Sequence, residues 1–403
     1  MPRILRVVTY NSSMASTGTN HAPPPPGSSQ HDGKKHGHFR DYWVRVTEGL
    51  AVDQLWGQMK ADARSTYSFY ARDIDWDTIN KGKRWKRGFH IAWAFFQAML
   101  MKLTPARRVV LLIACVLLII NFHFQFGGQE YLFDLSGFAT LLLFLLLALE
   151  LADRVTMKRD LEIAREIQHW LVPEKPPVVP GVDLAFATRP QNTVAGDYYD
   201  AFLRAGPEGD AGQSLLMVVA DVAGKSVPAA LLMATFQASI RALAARPGNL
   251  DELARDLNRY ACDHSLSGMR FTTAFIAEYD SSSRRIRYIN AGHNAPFLRR
   301  PSGEIVRLAE GTVPFGINSA TEYRSNAVAI EAGDLLVIFT DGLPEAVDNS
   351  GREYGEVRLR DRVEHFTTEP AATMLDTIMA DVDAYVGAAR QHDDITCMVA
   401  RFL

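Results

Sequence analysis

The pattern of hydrophobic and polar positions divides this 403-residue chain into five segments, and each predicts a different kind of element. Residues 1–39 have no apolar periodicity, are rich in Ser, Gly, His and Asn, and hold the run Pro23–Pro26. Such a segment cannot bury a core and is expected to be disordered. It also lacks the basic start and long apolar stretch of a secretion signal. Residues 40–105 are mixed and aromatic-rich, with a basic cluster at Lys81, Lys83, Arg84, Lys86 and Arg87. A short helical region is expected there, of unknown role, and Phe89–Met101 reads either as an interfacial helix or as a core helix.

Between 106 and 151 the pattern becomes continuously apolar. Val109–Phe126 has no formally charged residue, and Tyr131–Leu149 is interrupted only by Asp134. Each run approaches the ~20 residues that cross a bilayer, and Leu141–Leu147 has no polar face. The expectation is a two-helix transmembrane hairpin closed at Gly127-Gly128. Arg107 and Arg108 precede it, and Arg154, Lys158 and Arg159 follow, which places both ends in the cytoplasm at the plasma membrane. The competing reading is a buried hairpin of a soluble protein.

Residues 152–180 begin amphipathic. Leu151, Val155, Leu161, Ile163, Ala164, Ile167, Trp170 and Leu171 recur at helical spacing, until Pro173, Pro176, Pro177 and Pro180 end the pattern. This predicts a linker helix able to pair with a second copy in a homodimer.

From 181 to 403 short apolar runs alternate with turn residues. Strands are expected at Val182–Thr188, Ser214–Ala220, Thr272–Tyr279, Arg285–Asn290, Phe297–Arg300, Leu335–Thr340 and Ile395–Phe402, and helices at Pro228–Ala245, Leu250–Asp263 and Ala371–Ala388. Short links between consecutive strands favour an α+β domain with antiparallel sheets. The composition is that of a globular protein, 47% hydrophobic and 22% charged. A net charge of -3 disfavours nucleic acid as partner. Cys115, Cys262 and Cys397 have no metal-ligand or disulfide spacing and are expected to be free thiols.

The candidate chemistry lies at the ends of those strands. Asp197, Asp221, Asp341 and Asp393 each stand beside an apolar run, and the contexts Gly196-Asp197, Asp221-Val222-Ala223-Gly224 and Asp341-Gly342 add glycine. Oxygen ligands without Cys or paired His suit Mg²⁺ or Mn²⁺ better than Zn²⁺. Any one of these aspartates reads alone as a turn or helix cap; four in one domain favour a metal-dependent enzyme. No nucleophilic Cys or Ser stands in a recognisable setting.

Six blocks, LEIAREIQHWL at 161–171, VAGDYYD at 194–200, ADVAGKSVPAALLMA at 220–234, NAGHNAP at 290–296, FTDGLPEA at 339–346 and QHDDIT at 391–396, resemble the bacterial SpoIIE/RsbU-type phosphatases of the PP2C-like, metal-dependent serine/threonine class. The resemblance spans about residues 160–403 and keeps the order of the blocks. It implies an α-β-β-α sandwich of two antiparallel sheets with two Mn²⁺ or Mg²⁺ ions in a cleft at the sheet edge. By the same resemblance Asp221 bridges the metals, Val222 offers its backbone carbonyl, Asp341 and Asp393 are the other carboxylate ligands, and Asp197 acts directly or through water. Asp200 and Asp394 have less defined roles. The implied reaction is hydrolysis of phosphoserine or phosphothreonine on a regulatory protein, such as an anti-sigma-factor antagonist, by metal-activated water.

Lys225 stands where many relatives have His, and Ala195 where many have Gly. His293 reads as a general acid or as a structural histidine, and His392 as exposed. The alternative function is a non-catalytic membrane signalling protein whose degenerate phosphatase-like domain binds a partner.

Overall fold

The computed structural model describes residues 87–119, 122–126, 129–133, 135–205, 213–264 and 270–403. The expectations for residues 1–39, and for 40–86 within the next segment, lie outside these. The chain divides into two units, one ending at Thr156 and the other comprising Met157–Leu403.

In the first unit, helices α1 (Arg87–Lys102) and α2 (Pro105–Ile119) are followed by the antiparallel strands β1 (Phe122–Phe126) and β2 (Gln129–Phe133), and then by α3 (Ser136–Leu171), which runs on into the second unit. This corrects the expected hairpin in two respects. The apolar runs are not helical throughout, because Phe122-His123-Phe124-Gln125-Phe126 alternates aromatic and polar residues with a period of two, the pattern of a strand. The second apolar run and the amphipathic linker are also one 36-residue helix, since no proline, and no glycine after Gly137, interrupts it. The expected boundary at 151 lies inside this helix. With 15 residues α2 rises about 22 Å. Among the described residues one helix passes both the length and the apolarity test for a bilayer span, Ser226–Ala244, and that helix is a core element of the second unit.

The second unit contains β3 (Val182–Arg189), β4 (Tyr198–Ala205), β5 (Gln213–Val222), α4 (Ser226–Ala244), α5 (Leu250–Asp263), β6 (Thr272–Asp280), β7 (Arg285–Ala291), β8 (Phe297–Arg299), β9 (Ile305–Arg307), β10 (Asn326–Ala329), β11 (Leu335–Phe339), α6 (Glu356–Glu364), α7 (Ala371–Val386) and β12 (Ile395–Phe402). They form two five-stranded sheets, ordered β10-β7-β6-β5-β4 and β3-β12-β11-β8-β9. Every strand pairing is antiparallel.

Alternation along each strand assigns the layers. Met217 and Val219 of β5 meet Leu336 and Ile338 of β11 and Met398 of β12 in the core between the sheets. Their neighbours Leu216, Val218 and Ala220 face outward onto Met233, Phe236 and Ile240 of α4 and Leu253 and Leu257 of α5. On the other sheet Leu335, Val337 and Phe339 pack against Leu359 and Val363 of α6 and Met374 and Ile378 of α7. Both faces of each central strand are covered, so the strands read as unbroken apolar runs. Each of these large side chains contributes about 1.5–3 kcal/mol through burial. The result is the expected α-β-β-α sandwich. At the start of α5, Asn249 accepts from the Glu252 amide at 2.8 Å, and the Glu252 carboxylate accepts in return from the Asn249 amide.

Candidate metal centre

The sheet register gathers the aspartates. In the first sheet Tyr198 of β4 pairs with Ala220 of β5, which sets Asp197, one residue before β4, beside Asp221, the second-last residue of β5. In the second sheet Phe339 of β11 pairs with Cys397 of β12, so Asp341, just after β11, comes near Asp393, just before β12. Each sheet thus contributes two carboxylates from paired strands.

The two sheets are bonded to each other at this edge. The Thr340 hydroxyl donates to Asp197 Oδ2 at 2.9 Å, a buried contact that crosses from one sheet to the other. Thr340 Oγ1 in turn accepts from the Thr396 amide at 3.0 Å. Asp394 accepts from the amides of Gln191 and Gly196, both at 2.6 Å, and so holds the loop that carries Asp197. Gly342 lets the backbones meet: a Cβ there would lie 2.0 Å from the Asp394 carbonyl oxygen. Gly224 makes the sharp turn from β5 into α4 with φ 123°, a conformation that a side chain would strain. Val222, the last residue of β5, is buried, and its carbonyl oxygen lies 3.4 Å from where a Cβ on Gly196 would stand.

The electrostatics are those of crowded anions. Burial raises Asp197 well above the carboxylate range, with Asp221 and then Asp394 adding to it. Burial, then Asp341, Asp393 and Asp394, push Asp221 up to about 7. Asp341 is raised by burial and by Asp393. Lys225 offsets part of this charge, its Nζ donating to Asp393 Oδ2 at 2.9 Å and to the His392 carbonyl at 2.8 Å. Among the described residues no three His, Cys, Asp or Glu side chains already form a closed cation site; the carboxylates share one patch without converging on a point. Mutually raised, oxygen-only acids are a donor set that fits Mg²⁺ or Mn²⁺.

Other sequence candidates lie elsewhere. Asp200 points away from this edge and is fully buried under α4, where Arg241 Nε and Nη2 both donate to it at 2.6 Å and the Tyr198 hydroxyl donates at 2.5 Å. His293 is buried, with Nδ1 3.1 Å from Thr273 Oγ1 and its amide donating to Asn290 Oδ1 at 2.8 Å. Burial lowers it to about 4. Its ring is linked through Thr273 to the backbone carbonyl of Asp221, at 3.4 Å from the Thr273 hydroxyl. His392 is exposed, and Cys115, Cys262 and Cys397 form no disulfide among the described residues. Sequence reasoning passed over Thr340, whose only signal was its place before Asp341, and Gln168, which sat unassigned in a quoted block. It left open the Asp394 clasp, marked by the Asp393-Asp394 doublet.

The family model described as Stage II sporulation protein E (SpoIIE) matches residues 211–403. The chain is 28% identical over 280 residues to Protein IcfG of Synechocystis sp. (strain ATCC 27184 / PCC 6803 / Kazusa), covering 62% of this chain and 42% of that protein. To the phosphoserine phosphatase RsbU of Bacillus subtilis (strain 168) it is 27% identical over 247 residues, 61% of this chain and 70% of that one. It therefore spans less than half of the first relative and about two thirds of the second. Among solved structures the SiaA-PP2C domain of Pseudomonas aeruginosa superposes with a TM-score of 0.54 at 22% identity, covering 62% of this chain and 99% of that domain. With the six motif blocks and the carboxylate patch at the sandwich edge, these matches show that the chain has a PP2C-like fold and that its residues 211–403 match the SpoIIE family.

Proposed function

We propose that the second unit is a metal-dependent phosphatase that hydrolyses phosphoserine or phosphothreonine on a regulatory protein in bacterial signalling. The observation that carries this reading is the delivery of Asp197 and Asp221 by one sheet, and Asp341 and Asp393 by the other, to a single oxygen-only patch. Asp221, Asp341 and Asp393 would hold two Mn²⁺ or Mg²⁺ ions, with the Val222 carbonyl and Asp197 completing the set. Bound there, the ions supply charge neutralisation for the phosphoryl oxygens and a water of lowered pKa. The protein's own part is positional. Thr340 and Asp394 hold the Asp197 loop, Gly224 and Gly342 allow the close backbone approach, and Lys225 is the cation beside the site. The likeness to a phosphoserine phosphatase supports a phosphorylated protein as substrate class; an anti-sigma-factor antagonist is the example that the motif resemblance implies.

The full-length chain should release phosphate from phosphoserine peptides with Mn²⁺ and fail with chelator. Asp221→Asn and Asp341→Asn should be inert. Turnover persisting in both variants would refute the reading, and absence of carboxylate-dependent Mn²⁺ binding by calorimetry would favour the non-catalytic, partner-binding alternative.

We further propose that the first unit anchors the protein in the bacterial plasma membrane with both ends cytoplasmic. Supporting this, α2 exposes Leu112, Ile113, Val116, Leu118 and Ile119, and the first half of α3 exposes Phe138, Leu141, Phe144, Leu145 and Leu147. Arg107 at the start of α2 pairs with Glu150 and Asp153 of α3, at 3.2 and 2.7 Å, closing the base of an antiparallel hairpin. Fractionation should place the chain in a detergent-extractable, carbonate-resistant membrane pool; recovery in the soluble fraction would end this proposal. The exposed Ile163, Ile167 and Trp170 further along α3 support pairing with a second copy, which analytical ultracentrifugation of Ile167→Glu against the parent would test.

A further inference from the structure

Beside the carboxylate patch, on its β12 side, opens a pocket of about 180 Å³. It lies between the loop after β11 and the segment that links α7 to β12. Its charged lining is Arg189, Lys225, Arg390, Glu345 and Asp393, and Val347 and Val386 supply apolar wall. Ligand pockets for small molecules typically run to ~300–1,000 Å³, so this one suits a single side chain better than a whole metabolite.

The charges are not equally engaged. Both terminal nitrogens of Arg189 donate to Asp383, which offsets its charge. Lys225 donates to Asp393, a carboxylate that the metal centre also claims. Arg390 is exposed, follows the end of α7, and has no carboxylate partner among the described residues. Its planar, always-charged fork matches a carboxylate or a phosphate with two parallel hydrogen bonds. Among the lining residues the carboxylates Glu345 and Asp393 face three cations, Arg189, Lys225 and Arg390, so positive groups outnumber negative ones in the wall. The balance is an anion-accepting pocket whose wall shares Gly342 and Asp393 with the catalytic edge.

We propose that this pocket is a substrate subsite: it takes a second anionic side chain of the same phosphoprotein whose phosphorylated residue is hydrolysed at the adjacent centre. The inference rests on the phosphatase reading for the identity of the substrate. It adds a rule of selection, that an acidic group near the phosphoserine improves recognition, with Arg390 as the main contact and Lys225 as the second. The anion is a carboxylate or another phosphate, which share this chemistry.

The test uses the full-length chain and three fluorescein-labelled phosphoserine peptides, with glutamates, alanines or a second phosphoserine flanking the target. Anisotropy in chelator reads binding without turnover, and kcat/KM with Mn²⁺ reads it in catalysis. The expected result is binding about fivefold tighter for an anionic flank than for alanine, the size of one or two exposed charge pairs, with a KM preference in the same direction. Arg390→Ala should bring the ratio of anionic to alanine peptide toward one, Arg390→Lys should restore part of it, and Lys225→Met should reduce it. A preference confined to the second phosphoserine identifies the anion as phosphate, and one shared by glutamate identifies charge as sufficient; both support the subsite. Equal binding of all three peptides, or a preference that survives both Arg390→Ala and Lys225→Met, overturns it. Should the chain bind with the expected preference but release no phosphate, the phosphatase reading fails and the anion pocket stands. Turnover without preference has the opposite meaning.

Discussion

Gln168 in the last turn of α3 is bonded twice to the backbone of Ala195: its amide nitrogen donates to the Ala195 carbonyl, and its amide oxygen accepts from the Ala195 amide, both at 2.9 Å. Ala195 is buried and stands two residues before Asp197. The C-terminal end of α3 therefore grips the loop that carries a candidate ligand. A rotation or translation of α3 would move that loop with it.

Removing this grip should cost both stability and metal affinity. Gln168→Leu leaves a buried N–H and C=O without partners, a loss on the order of 1–3 kcal/mol. We expect a lower melting temperature and an apparent Mn²⁺ requirement raised severalfold, read from Mn²⁺ titrations of peptide hydrolysis. Unchanged metal dependence would mean that α3 does not govern the Asp197 loop.

Asp221 should trade stability for function. Burial and three neighbouring acids raise it to about 7, above its unfolded value near 3.9. A raised carboxyl is no burden below pH ~4, destabilises increasingly as pH rises toward 7, and its cost levels off above that. Asp221→Asn should therefore be more stable than the parent in chelator at pH 8, by on the order of 2 kcal/mol, and inactive with Mn²⁺. At 100 times its Kd, Mn²⁺ should stabilise the parent by about 2.7 kcal/mol and the variant far less. Calorimetric melting with and without metal checks all three statements.

His293 gives the opposite slope. Its folded value of about 4 lies below the unfolded value of ~6.5. The stability tied to its neutral form is thus complete above pH ~6.5 and is lost as pH falls toward 4, up to about 3 kcal/mol. His293→Gln should flatten that part of the curve of melting temperature against pH. An identical acid limb in the variant would show that the ring is not the titrating group.

Under α4 the bidentate pair of Arg241 and Asp200 should be costly to halve. Arg241→Met leaves a fully buried carboxylate with only Tyr198 and the Ala201 amide as donors, an expected loss of about 3–5 kcal/mol. Asp200→Asn in the same background should recover part of it. Urea melts of the single and double variants form the cycle that measures the coupling.

Much of the architecture is readable along the chain because its determinants are local. The central strands β5, β6, β11 and β12 are apolar runs bounded by turn residues, and α5 and α7 have helical periodicity with a cap or a preceding proline. The elements that escaped notice depend on distant partners. Tyr198–Ala205 looks unlike a buried strand because Asp200 stands within it, and that charge finds its ion-pair partner in Arg241, 41 residues away. The helix Glu356–Glu364 is charged almost throughout and is tied to the core mainly by Leu359 and Val363. At β1 and β2 the runs looked continuous, yet a period of two within them outweighed total hydrophobicity.

The same division holds at the site. The four aspartates, their glycines and their places at strand ends are properties of the chain, since carboxylate chemistry and strand periodicity belong to residues and short windows. Their assembly is not. Antiparallel register places Asp197 beside Asp221 and brings Asp341 near Asp393, and the packing of two sheets joins the pairs through Thr340. Folding alone separates Asp200 from that group, holds His293 neutral, ties Gln168 to Ala195 and turns Arg390 into an anion pocket. Each of these depends on contacts between residues tens to hundreds of positions apart, whose burial and field no local pattern encodes.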